Sequence, residues 1–565
     1  MKRFAILILM AACVFAVTRP PVQADSRDGQ GLYVPSNPPN INAVLIAACG
    51  DIRAILGPQG NNIAVCQHGD AIAVLYGAPT GDANNPMAIK IAYSVNQGAA
   101  WTTFGPFTGN IRRIYGGVDG TPTFCTDPGS CLFCYMKGAL NYVAFPIEVI
   151  VEENVPSAPS PSAPINVLWS DSLYPWQTGI TIAPDDPTIC MTSAWSKLSG
   201  GDNHHYSWTS TDGGYTWNMP VDMGLVDAVY GGNSGPKLDL GTGGYVCGVF
   251  NNAVGGITND GWPHFIESTD YGSTWSTPIQ MPVPHFDSAA GMFWWHEVNA
   301  QVINGKPWVL SNDIGGGGFW LWKGTGSPGA WTWTTWDIGT IGACSTWVAD
   351  TLFQMIPGQY GTICHDPVSG MILVTYKGVA FIVQGGSNVL CNGPAVIGCY
   401  TYDEGATWHV ARPMSVWNTM TYADWSGTET AHRLVNISGQ VYAYTVWVHN
   451  TNFNAYFEGG TTNNGKVLPI GIEETTEGNI VRMNLQLSPN VTRGICRATF
   501  NNLAQGEVNV QLFDATGRLV DNAYRGTLGA GMNSIEIPTA KLTSGTYFVR
   551  LETVKGTTTA KFVKI

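Results

Sequence analysis

Short apolar runs of strand length, each followed by a turn and a second apolar run, recur along most of the chain. Runs of four to eight residues bounded by Gly, Asn, Asp or Pro are the pattern of a protein built from many short β-strands. Successive copies lie roughly 55 to 70 residues apart, which is the length of four short strands and their turns. Seven copies span residues 62–76, 122–135, 179–195, 236–250, 296–311, 361–376 and 432–447.

A second pattern is eight residues long. It runs STDGGYTW from Ser210, returns as STDYGSTW from Ser268 and TYDEGATW from Thr401, and has a degenerate copy, SVNQGAAW, from Ser94. The Asp can accept backbone N–H groups and fold the chain into a hairpin, the Gly allows a positive φ, and the Trp is a large apolar wedge. The pattern therefore indicates a fold rather than a reaction. Its predicted structural residues are Asp212, Gly214, Trp217, Asp270, Gly272, Trp275, Asp403, Gly405 and Trp408.

This eight-residue motif resembles the Asp-box, or BNR repeat, of sialidases and many other secreted β-propellers. The resemblance implies an all-β propeller whose motifs lie on outer hairpins, away from a central pocket. Trp101 and Trp217 are 116 residues apart, twice the 58 between Trp217 and Trp275, so a blade without the motif should lie between the first two. The repeats favour seven blades, with the six of sialidases as the alternative. Residues 41–56 are the expected closing strand of the last blade.

The composition and the apolar/polar pattern of the chain change after about residue 460. Residues 461–478 are polar and rich in Gly and Thr, as in a linker. Clear alternation of apolar and polar positions then returns from Val508 to Asp514 and from Gly545 to Leu551. The sequence therefore predicts a propeller at 25–460 and a second, small β domain at 479–565.

The second domain carries a resemblance of its own. The stretches LSPN from Leu487, LFDATGR from Leu512, LTSGTYF from Leu542 and KFVKI from Lys561 are similar to the C-terminal sorting domain of the type IX secretion system. One departure is Val491, where that family usually has Pro. The resemblance implies a small immunoglobulin-like β-sandwich, type IX machinery as a partner, and a propeller that works outside the cell or on its outer surface. A generic immunoglobulin-like binding module is the alternative.

The N-terminus has the form of an export signal. Lys2 and Arg3 precede an apolar run at 4–17, and Ala24 ends a small-residue cleavage site, so residues 1–24 are predicted to be a signal peptide that leads into the periplasm. A lipoprotein signal ending at Cys13 is the alternative. The run is too short to span a bilayer permanently, and the sequence predicts no transmembrane segment in the mature chain.

Composition narrows the partners. Charged residues make up 12% of the chain and the net charge is −13, with no basic stripe, which argues against nucleic-acid binding. No Cys-x-x-Cys pairs with a second such motif, and no run of acidic ligands follows the eight-residue motif, so no metal and no cofactor is predicted. Cys391 and Cys399 flank a Gly-Pro loop and are a candidate disulfide in an exported chain.

A sialidase resemblance implies three Arg on the substrate carboxylate, a Tyr–Glu nucleophile pair and an Asp acid/base. Paired guanidinium groups match a carboxylate, and a charged Tyr needs a nearby base. This chain fits that pattern poorly, because the standard triad cannot be placed. The arginines considered for this triad are Arg53, Arg112, Arg113, Arg412 and Arg433.

The segments that lead into the predicted inner strands are rich in aromatic residues and poor in charge. Aromatic rings stack on sugar faces, and two carboxylates suffice for glycoside hydrolysis. The candidate catalytic residues are Asp119, Glu297 and Asp424. The candidate ligand-binding residues are Tyr115, Trp176, Tyr230, Trp295 and Trp425.

The missing triad favours a secreted or surface propeller that recognises an extracellular glycan or polymer. A glycoside hydrolase of the sialidase superfamily is the alternative, and a structural or adhesive surface protein is a weaker one. Because propellers carry unrelated functions, the sequence leaves open whether the protein is an enzyme.

Overall fold

The computed structural model of the chain consists almost entirely of β-strands. The chain divides into two compact units, Met1–Glu473 and Glu474–Ile565. The predicted signal peptide lies outside the described residues, and the predicted domain boundaries stay predictions. The structure describes residues 44–49, 61–81, 87–111, 116–121, 124, 129–136, 147–155, 159–167, 175–197, 203–226, 236–252, 262–282, 296–313, 319–348, 351–384, 388–411, 415–416, 425–437, 439–449, 454–458, 467, 485–489, 491–502, 505–515, 518–529, 531–553 and 556–565.

The first unit is a β-propeller of seven antiparallel blades among the described residues. The blades are numbered in chain order. Blade 1 contains β2 (Ile63–Val65), β3 (Ile72–Pro79), β4 (Met87–Ser94) and β5 (Thr102–Ile111); blade 2 contains β6 (Gly116–Gly120), β7 (Gly129–Met136), β8 (Ile147–Val155) and β9 (Ile165–Asn166); blade 3 contains β10 (Pro175–Ile182), β11 (Cys190–Lys197), β12 (Asn203–Ser210) and β13 (Val221–Val226); blade 4 contains β14 (Lys237–Leu240), β15 (Val246–Asn252), β16 (Trp262–Ser268) and β17 (Ile279–Gln280).

Blade 6 has two strands more than the others, and blade 7 takes its outermost strand from the N-terminal side of the chain. Blade 5 contains β18 (His296–Ile303), β19 (Lys306–Asp313), β20 (Phe319–Thr325) and β21 (Thr332–Asp337); blade 6 contains β22 (Cys344–Val348), β23 (Thr351–His365), β24 (Ile372–Gln384), β25 (Asn388–Thr401), β26 (His409–Val410) and β27 (Ser415–Val416); blade 7 contains β28 (Trp425–Thr430), β31 (Thr445–His449), β32 (Asn454–Glu458) and β1 (Val44–Ala48). A hairpin of β29 (Val435–Ile437) and β30 (Gln440–Tyr442), a 3-10 turn (Thr242–Gly244) and α1 (Ile338–Ile341) complete the described elements of this unit.

The propeller and its preferred blade count of seven are confirmed. The ring closes as predicted, because β1 pairs antiparallel with β32 and so joins the two ends of the propeller in one sheet. Blade 2, which the spacing of the Trp residues placed between two motifs, lacks the motif. Its segment 156–164 joins β8 to β9 instead. Among the described residues, no helix has the length and apolarity needed to cross a bilayer.

A ring of hydrogen bonds joins the inner strands of adjacent blades. In five of the seven bonds the acceptor is a side chain on one blade and the donor is a backbone N–H on the next, so each bond depends on the side chain chosen at one position. The donor–acceptor pairs are Val118 N and Asn61 O (2.5 Å), Ile182 N and Asp119 Oδ2 (2.8 Å), Leu240 N and Thr181 Oγ1 (3.2 Å), Val302 N and Asp239 Oδ2 (2.6 Å), Ile363 N and Asn299 Oδ1 (3.4 Å), Leu434 N and His365 O (2.9 Å), and Asn62 N and Glu429 Oε2 (3.0 Å).

The eight-residue motif folds into the same hydrogen-bonded turn in each copy. In blade 3, Ser210 Oγ donates to Asp212 Oδ1 at 2.8 Å and accepts from Gly214 N at 2.9 Å, while Asp212 Oδ1 accepts from Thr216 N at 2.8 Å. The motifs of blades 4 and 6 repeat these bonds. The degenerate copy repeats them too, because Asn96 Oδ1 accepts from Ala100 N at 2.9 Å in place of a carboxylate.

The motifs of blades 3, 4 and 6 also pack against the preceding blade. In blade 6, Trp408 packs edge-to-face on Trp336 of blade 5, which in turn stacks on Trp308. Gly405 has a φ of 92°, and a Cβ at this position would lie 2.3 Å from Cζ2 of Trp336. Glu404 adds ionic contacts to the same neighbour, since its carboxylate accepts from Lys306 Nζ at 2.6 Å. The motif is therefore an outer counterpart to the inner ring of hydrogen bonds.

The suggested disulfide between Cys391 and Cys399 is wrong. Both residues lie on β25, eight positions apart, so their Cα atoms are roughly 26 Å from each other in an extended strand. A disulfide requires Cα atoms within about 7 Å. Cys399 is a buried free thiol, whereas Cys66 is disulfide-bonded.

The second unit is a small β-sandwich. One sheet contains β33 (Gln486–Ser488), β35 (Ile495–Asn502) and β38 (Gly531–Pro538), and the other contains β34 (Val491–Thr492), β36 (Gly506–Asp514), β37 (Leu519–Leu528), β39 (Gly545–Thr553) and β40 (Gly556–Lys564). Alternate residues of both sheets, among them Phe500, Leu512 and Val549, meet in one apolar core. The alternation noticed in the sequence thus gives each strand an inner and an outer face.

Replacing Gly405 with Ala should destabilise the propeller by about 2–4 kcal/mol. An L-residue in the left-handed region costs about 1–2 kcal/mol, and forcing a methyl group into a packed neighbour costs about 1–3 kcal/mol. The 21 tryptophans all precede residue 448, so urea titration followed by Trp fluorescence reports on the propeller alone.

The matched control is Gly370→Ala in the same blade. Its φ is 77°, but nothing lies within 4 Å of the added Cβ. It should therefore cost only the backbone term of about 1–2 kcal/mol. Equal losses for the two variants would contradict the packing role of the motif.

Candidate functional site

One strand of each blade lines the propeller axis, and these seven strands run in the same direction. They are β2, β6, β10, β14, β18, β23 and β28. Residues near the end of one inner strand bond to residues near the end of the next, as Asp119 of β6 does with Ile182 of β10, and Asp239 of β14 with Val302 of β18. Because the ends of these strands meet, their starts share the opposite face of the propeller. We call this the strand-start face. The eight-residue motifs follow β4, β12, β16 and β25, each the third strand counted from the one that lines the axis, and they lie on the other face.

Three of the candidate residues lie at the starts of inner strands. Trp176 is the second residue of β10, Glu297 the second of β18, and Trp425 the first of β28, in blades 3, 5 and 7. Their backbone positions place them on the strand-start face. Asp119 is near the end of β6 instead and faces the axis.

The other candidates lie outside the described residues. In the sequence, however, Tyr115 directly precedes β6, Trp295 directly precedes β18, and Asp424 directly precedes β28. Tyr230 lies in the segment before β14. Of the arginines considered for a sialidase triad, only Arg433 is among the described residues.

Blade 6 is taller than its neighbours. Its strand β24 has 13 residues, whereas β11, the corresponding strand of blade 3, has eight. The inner strand of blade 6 is bonded to blade 5 at Ile363, near the end of β23, so the extra length lies toward the strand-start face. Five residues of extended chain add roughly 17 Å. We call this projecting part of β22, β23, β24 and β25 the blade 6 wall.

A small cavity with a mixed polar and apolar lining lies near the axis, between the inner strands. Its volume is about 10 Å³, which is room for roughly one water molecule. A sugar ring needs far more space, so a glycan would have to bind outside this cavity rather than in it. Its lining includes Asn61, Asp119, Lys237, Asp239 and His432.

Both carboxyls of the cavity are held by backbone groups. Asp119 accepts from Ile182 N at 2.8 Å and from Gly120 N at 2.9 Å, and Asp239 accepts from Val302 N at 2.6 Å. Burial raises the pKa of Asp119 to about 6 and that of Asp239 to about 7, the nearby charge of Asp119 contributing to the second rise. The backbone N–H bonds oppose the rise without cancelling it.

Lys237 is the cation of this cluster. Its side chain is 4% exposed, and its Nζ has no hydrogen-bond partner within the described part of the chain. Burial lowers the pKa of Lys237, whereas the charges of Glu429, Asp239 and Asp119 oppose that shift. Three carboxyl groups, from blades 2, 4 and 7, thus act electrostatically on one buried ammonium group.

The cluster can store a proton near neutral pH, which is the property that a general acid or base requires. The backbone bonds of Asp119 nevertheless favour a structural role for it over a catalytic one, and its candidacy as a catalytic residue stays a prediction. Within the described ranges, no group of three His, Cys, Asp or Glu side chains is arranged to hold a metal ion.

Sequence reasoning missed Lys237, Asp239, Glu429 and His432. A signal was present for Lys237, Asp239 and Glu429, because charged residues are scarce in this chain and these three lie on inner strands. A charged side chain on an inner strand points either toward the propeller axis or toward the adjacent blade, because the outer edge of that strand is paired with the second strand of its own blade.

The pair Asp119 and Asp239 should make the propeller less stable as the pH rises. Both pKa values lie above the ordinary 3.8, so the stabilisation is complete below about pH 4 and is lost as the pH passes 6 and 7. Asp239→Asn removes one titration and keeps an acceptor for Val302 N. The unfolding free energy of wild type relative to this variant should fall by about 2 kcal/mol between pH 5 and pH 8.

The measurement is urea unfolding by Trp fluorescence across this range. Asp70→Asn, at an exposed turn of blade 1, is the control, and its stability should run parallel to that of wild type. A pH-independent difference between wild type and Asp239→Asn would contradict the proton uptake at the axis.

Comparisons with known proteins assign the second unit. Residues 487–565 match the family model described as a secretion system C-terminal sorting domain, which indicates export by type IX secretion to the cell surface or beyond. No curated protein matches the chain.

Three solved structures that are similar to the chain share 9–12% sequence identity with it. A polysaccharide lyase, ulvan lyase of family PL25, has a TM-score of 0.42 at 12% identity and covers 76% of this chain and 96% of its own. An α-L-arabinanase from Penicillium chrysogenum has a TM-score of 0.38 at 10% identity, covering 63% and 93%. A sialidase from Trypanosoma rangeli has a TM-score of 0.35 at 9% identity, covering 89% and 84%. These similarities transfer neither a substrate nor a mechanism; the chain is a β-propeller that ends in a secretion-system sorting domain.

Proposed function

We propose that the protein is a secreted or cell-surface propeller that binds an extracellular glycan or polymer on its strand-start face. The observation that carries the proposal is the common position of the candidate residues. Trp176, Glu297 and Trp425 begin inner strands of three different blades, which brings their backbones to one face around the axis.

The physical properties of that face suit a sugar polymer. Aromatic rings stack on sugar faces without needing charge, and charged residues are only 12% of the chain. The axial cavity is too small for a sugar ring, so a ligand would lie across the face. The blade 6 wall stands beside this face and would border one side of an extended chain.

Cleavage of the bound glycan is the second candidate function. The supporting observation is the placement of Glu297 at a strand start, two positions after Trp295 in the sequence. Asp424 directly precedes β28 in the same manner, and two carboxylates on one face are what hydrolysis of a glycosidic bond requires. Asp119 is the weakest of the three, because its oxygens already accept backbone N–H groups.

Export completes the proposal. Residues 1–24 would direct the chain to the periplasm, and the sorting domain would then carry it across the outer membrane. The mature propeller would work outside the cell, either released or attached to the surface.

The test is a panel of sialosides and of plant, algal and animal polysaccharides, with binding and sugar release measured on the mature chain. Trp176→Ala and Trp425→Ala should each weaken binding by about 10-fold or more, because removing a stacked aromatic ring typically costs about 1–3 kcal/mol of binding free energy. Tyr402→Ala is the matched control, because Tyr402 is an exposed aromatic residue on the opposite face. Its affinity should equal that of wild type.

Sugar release separates binding from catalysis. Release that is lost in Glu297→Gln or Asp424→Asn, with affinity kept, would make the protein an enzyme. Binding without release would make it a recognition module. If the folded chain neither binds nor cleaves any member of the panel, the proposal is contradicted and a structural or adhesive role is favoured.

A further inference from the structure

Exposed large apolar side chains are concentrated in the sorting domain. Among the described residues, this smaller unit holds as many of them as the whole propeller does. Contiguous apolar surface on a soluble domain marks an interaction site more often than scattered single residues do. The exposed residues are Val491, Ile495, Leu519, Val520, Phe548, Val563 and Ile565.

Strand register joins five apolar residues into one stripe. Val491 of β34 pairs with Val563 of β40, and Phe513 of β36 pairs with both Phe548 of β39 and Leu519 of β37. Val563 pairs with the residue two before Phe548, so the two side chains are diagonal neighbours on the same face. One apolar residue from each of the five strands therefore forms a continuous line across the outer face of the sheet.

The remainder of this face is polar and internally paired. Gln511 Nε2 donates to Asn522 Oδ1 at 3.1 Å, Asn509 Nδ2 donates to Glu552 Oε2 at 3.2 Å, and Arg525 pairs with a neighbouring carboxylate. These pairs lie within the sheet. The stripe has no such cover among the described residues of its own unit, since Phe548 and Val563 are each 36% exposed.

The shape of the stripe favours a protein partner over a membrane. Five strands spaced about 4.8 Å apart give a line roughly 19 Å long and one side chain wide. Such a ridge fits an apolar groove. Insertion into lipid would instead use a broad apolar surface.

The charge of the domain gives the chemistry of the partner. Residues 487–565 contain nine Lys and Arg and five Asp and Glu, a net charge of +4 in a chain whose total is −13. Lys561 lies directly opposite Phe548 in the sheet, and Arg493 follows Val491 by two positions. Complementary charge speeds and orients association, so a partner should carry carboxylates beside its groove.

We propose that this stripe is the surface by which a protein of the secretion machinery holds the sorting domain. The partner presents an apolar groove rimmed by acidic residues. Val491, Phe513, Phe548, Val563 and Leu519 fill the groove, and Lys561 meets the rim. The inference concerns the second unit alone and does not depend on what the propeller binds.

The test is secretion of the full chain from a bacterium that has a type IX system. The double variant Phe548→Ser, Val563→Thr changes two exposed residues, so the fold should survive. The fraction of chain at the cell surface and in the medium should fall at least 10-fold, with folded chain held in the periplasm. The control is Gln511→Ser, Asn522→Ser on the polar part of the same face, which should be secreted like wild type. Normal secretion of the stripe variant would overturn the proposal.

A second measurement tests the proposal even if the double variant fails to fold. A photo-crosslinking amino acid is placed at position 548, or at 522 as the control, in the otherwise native chain. Position 548 should give an adduct with a membrane protein of the secretion system at least 10-fold more often than position 522. Adducts only with lipid, with the chain's own propeller or with a second copy of the chain would overturn the proposal.

Discussion

The hydrogen bonds between inner strands are the contacts on which the rest of the propeller depends. A ring of blades has no edge only if every boundary is bonded, including the one between the last blade and the first. Here β1 closes blade 7, and Glu429 then accepts the N–H of Asn62 in blade 1 at 3.0 Å. Side chains supply most of the acceptors, so polar and charged residues are retained at the axis of a chain that is otherwise poor in charge.

The two faces of the propeller differ in the residues that they carry. The ends of the inner strands hold Asp119 and Asp239, and the hairpins on the same side carry the eight-residue motifs that wedge one blade against another. Among the described residues, neither the hydrogen bonds between inner strands nor the motifs lie on the strand-start face, which is where we propose that a ligand binds. The blade 6 wall rises on this side. The structural residues and the proposed binding residues thus lie on opposite faces.

The parts of this structure that local rules decide could be predicted from the sequence. The turn around Asp212, the alternation of the sorting domain and the closing strand each rest on neighbouring residues or on a repeat. The role of Asp119 could not be predicted, because its partner Ile182 is set by how two blades meet. The Gly-Pro pair between Cys391 and Cys399 suggested a loop that would bring the two thiols together, yet both residues lie on the same long strand, β25. The length of the blade 6 strands could not be predicted for the same reason, because a Gly-Pro pair inside β25 has the sequence of a turn.

If every blade boundary must be bonded to keep the ring closed, loss of one boundary should weaken all of them, so we expect the inner ring to open and close as one unit. Hydrogen exchange of the full chain, compared with that of Glu429→Ala, tests it most directly. Loss of this acceptor costs about 1–3 kcal/mol, so exchange should become about 10- to 100-fold faster. The account predicts this acceleration at Ile182, Val302 and Ile363 as well as at Asn62, although three of them are distant from the change. Faster exchange confined to Asn62 and its neighbours would show that the blades are held separately and would contradict the account.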